Sequence, residues 1–285
     1  MPSMRDIKRR KESVTNTGQI TKAMKLVSTV KLQRAKGKAE TAKPYFSHLY
    51  DTITAMLARS APEVKEKYMQ RENGGNAAVV VISSNRGLAG GYNGNIVKLI
   101  TGSSLDKEKT DIYAIGSKAR DALARKGYNI VDDRSEVMNA PLYSDASDLA
   151  HDLMKKYESG EISEIYVAFT IFKNTVTHIP TLLRLLPTDE FSGQPDEALL
   201  LMNFEPGPEA VLKAVMPKYI SGELYGALIE AQASEHGARM QAMDSATNNA
   251  EDMISRLSLQ YNRARQGAIT QELTEIIAGA NAINE

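Results

Sequence analysis

From residue 209 to residue 284 the chain reads as one uninterrupted helix. Leu224, Leu228, Ala231, Ala238, Ala242, Ala246, Ala250, Met253, Leu257, Tyr261, Ala264 and Ala268 recur at spacings of three, four or seven, which places them along one helix face. No proline falls between Pro217 and the end to break it. At 1.5 Å per residue such a helix spans on the order of 100 Å. One compact domain is far shorter than that. The helix is therefore expected to protrude, or to be housed inside something else.

The opposite end carries a matching pattern. Ile20, Met24, Val27, Val30, Ala35, Ala39, Ala42, Phe46, Leu49, Ile53 and Met56 draw a second stripe over residues 3–58. Ser3 is a plausible N-cap. Pro44 is expected to kink this helix, and Gly18 and Gly37 to weaken it. Two helical ends can bury stripe against stripe as an antiparallel coiled coil. Alanine and other small residues dominate the stripes, so the pair is expected to be slender. Domain boundaries follow: an N-terminal helix over 1–58, a middle domain over 76–200 and a closing helix over 209–285.

The middle domain has another rhythm. Residues 77–84, 111–115, 129–131, 162–173 and 176–186 read as strands, with helices over 92–101, 117–126 and 144–158 between most of them. This alternation predicts a Rossmann-like α/β domain with a mostly parallel five-stranded sheet. The last two strands, joined through Asn174-Thr175, read as a hairpin at an edge. A loop rich in proline, glycine and acid is expected over 187–208.

Charge narrows the function classes. The chain is neutral as a whole, with 35 basic and 35 acidic residues among its 285. Residues 1–60 alone hold thirteen Lys/Arg against four Asp/Glu. Such a basic segment seeks an acidic protein surface, nucleic acid or anionic lipid. The Arg9-Arg10-Lys11 run would suit nucleic acid, but no aromatic residue lies in the first 44 positions to stack on bases. The absence of cysteine excludes disulfides, thiol catalysis and thiolate metal sites. Four scattered histidines make a zinc site improbable. No apolar run is long enough to cross a bilayer, and the basic start lacks the apolar core of a signal peptide. With Asp6 and Glu12 in it and a helix running on from it, that start reads as mature protein rather than a transit peptide.

The segment Ser84-Asn-Arg-Gly-Leu-Ala-Gly-Gly-Tyr-Asn-Gly94 follows a strand and opens a helix, where α/β folds bind nucleotides. Its glycine spacing matches neither the dinucleotide nor the P-loop pattern, and no lysine stands near enough to reach a phosphate. A tight strand-to-helix turn is the preferred reading. The acidic pairs Asp132-Asp133, Asp189-Glu190 and Glu251-Asp252 lack an acid–base partner in sequence and are assigned no catalysis.

Two terminal segments carry a family resemblance. Met4-Arg-Asp-Ile-Lys-Arg-Arg, Val14-Thr-Asn-Thr and Gln19-Ile-Thr-Lys-Ala-Met24-Lys-Leu-Val27 resemble the opening helix of F-type ATP synthase γ subunits. Ser234-Glu, Ala238-Arg-Met-Gln-Ala-Met243-Asp-Ser-Ala-Thr-Asn248 and Tyr261-Asn-Arg-Ala-Arg-Gln266-Gly-Ala-Ile-Thr-Gln-Glu-Leu-Thr-Glu-Ile276 are similar to its closing helix. The family's cysteine in the glycine loop is Ala89 here, and the cysteine insertion of chloroplast members is missing, which points to a bacterial protein.

The resemblance implies a non-catalytic rotor. Its coiled coil would turn inside an α3β3 hexamer, with the ε subunit and a membrane ring of c subunits below. It implies contacts with β at Lys22, Met24, Lys25, Glu235, Arg239, Arg265, Gln266 and Thr270, and a foot on the c ring and ε at Phe204 and Glu205. It implies no catalytic residue, metal or cofactor on this chain, since ATP, ADP and magnesium would sit on α and β. The location implied is peripheral, at the cytoplasmic face of a bacterial cell membrane. The alternative readings are a coiled-coil adaptor with a nucleotide-binding α/β domain and a basic coiled coil for nucleic acid.

Overall fold

The computed structural model describes residues 3–62, 68–69, 74–188 and 204–284. In chain order the elements are α1 (Met4–Arg59), β1 (Asn76–Ile82), α2 (Tyr92–Thr101), β2 (Thr110–Ile115), α3 (Ser117–Arg125), β3 (Asn129–Asp133), α4 (Tyr143–Glu158), β4 (Ile162–Phe172), β5 (His178–Leu186) and α5 (Pro208–Asn284). They form two compact units, one drawn from residues 1–27 and 240–285, the other from residues 28–239.

The first unit is two helix segments packed antiparallel. Ser3 caps α1: its Oγ accepts from the Asp6 amide at 3.2 Å and donates to the Asp6 carboxylate at 2.7 Å. The packed row is set by small and polar residues. A Cβ at Gly18 would stand 3.3 Å from Ala250 Cβ. Thr21 and Thr247 share a buried hydrogen bond of 2.8 Å, and Lys25 Nζ donates to Asp244 Oδ1 at 2.5 Å. As position rises along α1 it falls along α5, the register of an antiparallel pair. Leu257 and Ile7 close the row farther along.

The expected α1 stripe is displaced in its first half only. Ile20, Val27 and Val30 are exposed while Thr21, Ser28 and Leu32 are buried, whereas Ala35, Ile53 and Met56 of the stripe are buried. A helix with one partner buries one narrow row. Close approach here selects Gly18 and Thr21 over the larger side chains one position away. Ala42 and Phe46 of that stripe fall among side chains outside those described.

The second unit is built on a five-stranded sheet of order β3-β2-β1-β4-β5. All neighbouring pairs are parallel except β4–β5, the edge hairpin. Asn174 shapes its turn, accepting from the amides of Val176 and Thr177 at 2.9 and 2.7 Å. β1 is buried on both faces. Val79 and Val81 pack with Ile112, Ala114 and Ala168 against Ile96, Val97 and Ile100 of α2 and Ala119 and Leu123 of α3. Ala78, Val80 and Ile82 face the larger core. There α4 supplies Leu149 and Leu153, α1 supplies Ile53, Met56 and Leu57, and α5 supplies Leu212, Met216, Ile220, Leu224 and Leu228. The terminal helices thus enter the core of the α/β unit as its second helical layer.

α1 is assigned as one element through Pro44, and α5 through Pro217. Most of the loop expected over 187–208, and the Asp189-Glu190 pair, lie outside the described residues.

Candidate functional site

In open α/β sheets a ligand enters the crevice at the carboxyl ends of the strands, where the connections change direction. Here that place lies between β1 and β4, because β2 and β3 are laid to one side of β1 and β4 to the other. α5 occupies it. Tyr92 Oη, at the start of α2, donates to Ala231 O at 3.1 Å. Ser234 Oγ donates to Thr170 O on β4 at 2.8 Å. At Gly237 an added Cβ would stand 2.8 Å from His178 Nε2 and 2.9 Å from Phe172 Cε2, so the helix backbone rests directly on the β4–β5 hairpin. Lys36 of α1 lies over the same Phe172 ring at 4.7 Å.

The glycine loop is closed on itself as well. Gly116 has φ 111°, and a Cβ there would meet Ser83 O at 2.1 Å. That approach lets the end of β1 feed the first amides of α3. Ser117 N donates to Asn85 Oδ1 at 3.0 Å, Lys118 N to Ser84 O at 3.1 Å and Ala119 N to Ser83 Oγ at 3.0 Å. These bonds occupy the first amides of α3, the helix beside the one that the glycine segment opens. Ser84 N donates to Asn93 Oδ1 at 3.0 Å, and Asn85 Nδ2 to Ser135 O at 2.7 Å. The preferred reading of this segment as a strand-to-helix turn describes this geometry.

A buried polar cluster crowns the crevice. Arg239 Nη1 donates to Glu235 Oε1 at 2.7 Å, with both side chains 9% exposed. The guanidinium also reaches the carbonyls of Arg86 and Gly87, each at 3.4 Å. Its Nη1 lies 3.4 Å from His236 Nδ1, which must accept because the guanidinium only donates. Burial raises the Glu235 carboxyl above its ordinary value even though Arg239 pulls it down. Burial, then Arg239 and Lys31, push His236 down to about 4. Burial and the Glu235 charge raise Tyr92 well above the ordinary phenol value, so it stays a neutral donor.

The residues implied as partner contacts fall into separate groups. Glu235 and Arg239 are buried and paired with each other. Lys22, Arg265, Gln266 and Thr270 are exposed. Met24 is half-buried, and Lys25 is half-buried against Asp244. Phe204 packs against the larger core with Arg59 Cζ 5.3 Å from its ring centroid, and Glu205 is exposed. Sequence reasoning missed His236, Tyr92 and Ser234 as members of the crown. Their packing is long-range; Ser234 and Tyr92 lie in quoted motifs, but nothing local in those motifs pairs them. Of the acidic pairs, Asp132 and Asp133 are bound by Arg134 and Arg120 at 2.7 and 2.5 Å, and Glu251 and Asp252 are exposed. Among the described residues no cluster of His, Asp and Glu could hold a metal, and no helix is long and apolar enough to cross a membrane.

A nucleotide-type sheet whose crevice is filled by the chain's own terminal helix, beside a unit of paired terminal helices, defines an α/β protein with long helical termini. Comparison with known proteins names the family within it. A family model described as ATP synthase matches residues 3–283. The chain is 60% identical over 292 residues to the ATP synthase gamma chain of Lachnoclostridium phytofermentans, covering 100% of each. Among solved structures, a chain of the Euglena gracilis mitochondrial ATP synthase (OSCP/F1/c-ring, rotational state 3) aligns with TM-score 0.68 at 17% identity, over 98% of this chain and 94% of that one. A chain of the Tetrahymena thermophila mitochondrial ATP synthase central stalk and c ring aligns with TM-score 0.60 at 22% identity, over 80% of this chain and 99% of that one. The chain belongs to the ATP synthase gamma-chain family.

Proposed function

We propose that this chain is the central-stalk shaft of a bacterial F-type ATP synthase, turning inside an α3β3 hexamer and seated on ε and the c ring. The observation that carries the reading is the packing of the termini. Gly18 against Ala250 and Thr21 against Thr247 bring two helices close along small residues, which keeps a shaft thin enough to turn within a sleeve. The filled crevice supports the absence of any nucleotide, cofactor or metal on this chain. The catalytic nucleotides and magnesium then belong to α and β.

The working division is an N-terminal coiled-coil helix over 1–58, a central α/β domain over 76–200 and a C-terminal coiled-coil helix over 209–285. Exposure makes Lys22, Arg265, Gln266 and Thr270 available to β directly. Met24 and Lys25, next to Lys22 on α1, are half-buried. Lys22 and Lys25 belong to the basic first segment, which suits acidic loops of β. Phe204 and Glu205 would form the foot on ε and the c ring. The site of action is peripheral, at the cytoplasmic face of the cell membrane.

The test is assembly and coupling. The tagged chain should co-purify with α, β and ε, and vesicles holding the complex should lose proton-coupled ATP turnover when it is omitted. Turnover that stays coupled without it would end the proposal. A nucleotide titration on the isolated chain separates the adaptor reading, which requires stoichiometric binding at the glycine loop.

A further inference from the structure

Glu235 and Arg239 carry the family's motif but offer almost no surface to a partner. Both side chains are 9% exposed, and the Arg239 guanidinium is directed to Glu235, His236 and the carbonyls of Arg86 and Gly87. We propose that Arg239, oriented by Glu235, is a positioning residue that fixes the tip of the loop Arg86-Gly87-Leu88. It would influence coupling through that loop rather than by touching another subunit.

The loop needs such a restraint. Leu88 has φ 61°, in the left-handed region that a branched L side chain rarely adopts, and is 63% exposed. A strained conformation persists only where its surroundings over-determine it. The two ends of the loop are held by Ser84 with Asn93 and by Asn85 with Ser117. The tip is met by α5, through the guanidinium at the Arg86 and Gly87 carbonyls. A planar fork of five donors can hold a carboxylate and two carbonyls together, which an ammonium group cannot match. Glu235 fixes the direction of the fork, and its own surroundings add the positive charges of Lys31 and Arg86. The result is an exposed apolar residue held in a fixed pose by a buried ion pair on the long helix.

The chain has no cysteine, so one introduced thiol reports on the loop alone. Ala89, next to Leu88, is 2% exposed and is the position where the family carries cysteine. In full-length protein, the maleimide-labelling rate of Ala89→Cys should rise about tenfold when Arg239→Ala is added, the scale expected for losing a charged hydrogen-bond donor. Glu235→Gln should raise it by less, and Arg265→Ala should leave it unchanged. In the assembled complex, Arg239→Ala and Leu88→Gly should lower protons pumped per ATP hydrolysed to the same degree.

An unchanged labelling rate in Arg239→Ala, beside lost pumping, would show a direct partner contact and overturn the proposal. If Arg239→Ala fails to fold by circular dichroism, Glu235→Gln decides, and an unchanged rate there overturns it. Faster labelling with normal pumping would remove the role in coupling, the half that rests on the rotor reading, and leave the loop restraint, which does not.

Discussion

Two positions show how single residues set this architecture. Gly116 is required on both steric and conformational grounds: φ is 111°, and a methyl would sit 2.1 Å from a backbone carbonyl. Gly116→Ala should therefore cost more than about 2 kcal/mol of unfolding free energy in a urea titration, because backbone on both sides must shift. His236 ties stability to pH. Its folded value of about 4 lies below the ordinary 6.5 because burial, Arg239 and Lys31 disfavour the cation. The unfolded chain then takes up the proton first. Its contribution is intact above about pH 6.5 and is lost as pH falls toward 4, by up to about 3 kcal/mol. Glu235, with its raised carboxyl, runs the other way and takes up its proton in the folded state first. Comparing unfolding free energies of the parent and His236→Gln at pH 7 and pH 4.5 isolates the histidine, and a parallel loss in both would contradict the assignment.

Among the elements, strands and short helices were legible because each carries its own period and its own breakers. The expected strand 111–115 and helix 92–101 match β2 and α2 to within a residue. The face that α1 buries was less legible. Apolar character alone favoured Ile20 and Val27, whereas the partner helix selects the row containing Gly18, Thr21 and Ser28. Which row packs depends on residues more than two hundred positions away. The crown over the crevice was illegible for the same reason, since Ser234 meets Thr170 and Arg239 meets Gly87 only after folding. The small-residue row makes a prediction at this scale. Ala250→Leu places a branched side chain where Gly18 leaves room for little more than a methyl. Overpacking of this kind costs about 1–3 kcal/mol. Hydrogen exchange should quicken along residues 1–27 and 240–277 while β1, β2 and β4 keep their protection, since the sheet's cores contain neither residue.

For the whole molecule the question is whether α5 acts as a rod. It is a single element of 77 residues that contributes Leu212 to Leu228 to the core of the α/β unit and Met243 to Leu257 to the paired-helix unit. A rotor needs that continuity; Pro217 already removes one amide from the ladder, but there the helix is held by the core through Met216 and Ile220, support that the paired region lacks. Ser245 is exposed and lies within the paired region of α5. Proline there removes one amide donor and clashes with the preceding turn, at a cost of about 3 kcal/mol, while the sheet and both cores stay untouched. In reconstituted vesicles Ser245→Pro should leave the complex assembled and hydrolysing ATP but pump few protons per ATP. Ser245→Ala, which keeps the ladder, should pump normally. Full pumping with Ser245→Pro would mean that rotation does not rely on an unbroken α5, and the shaft would have to be sought in α1 alone.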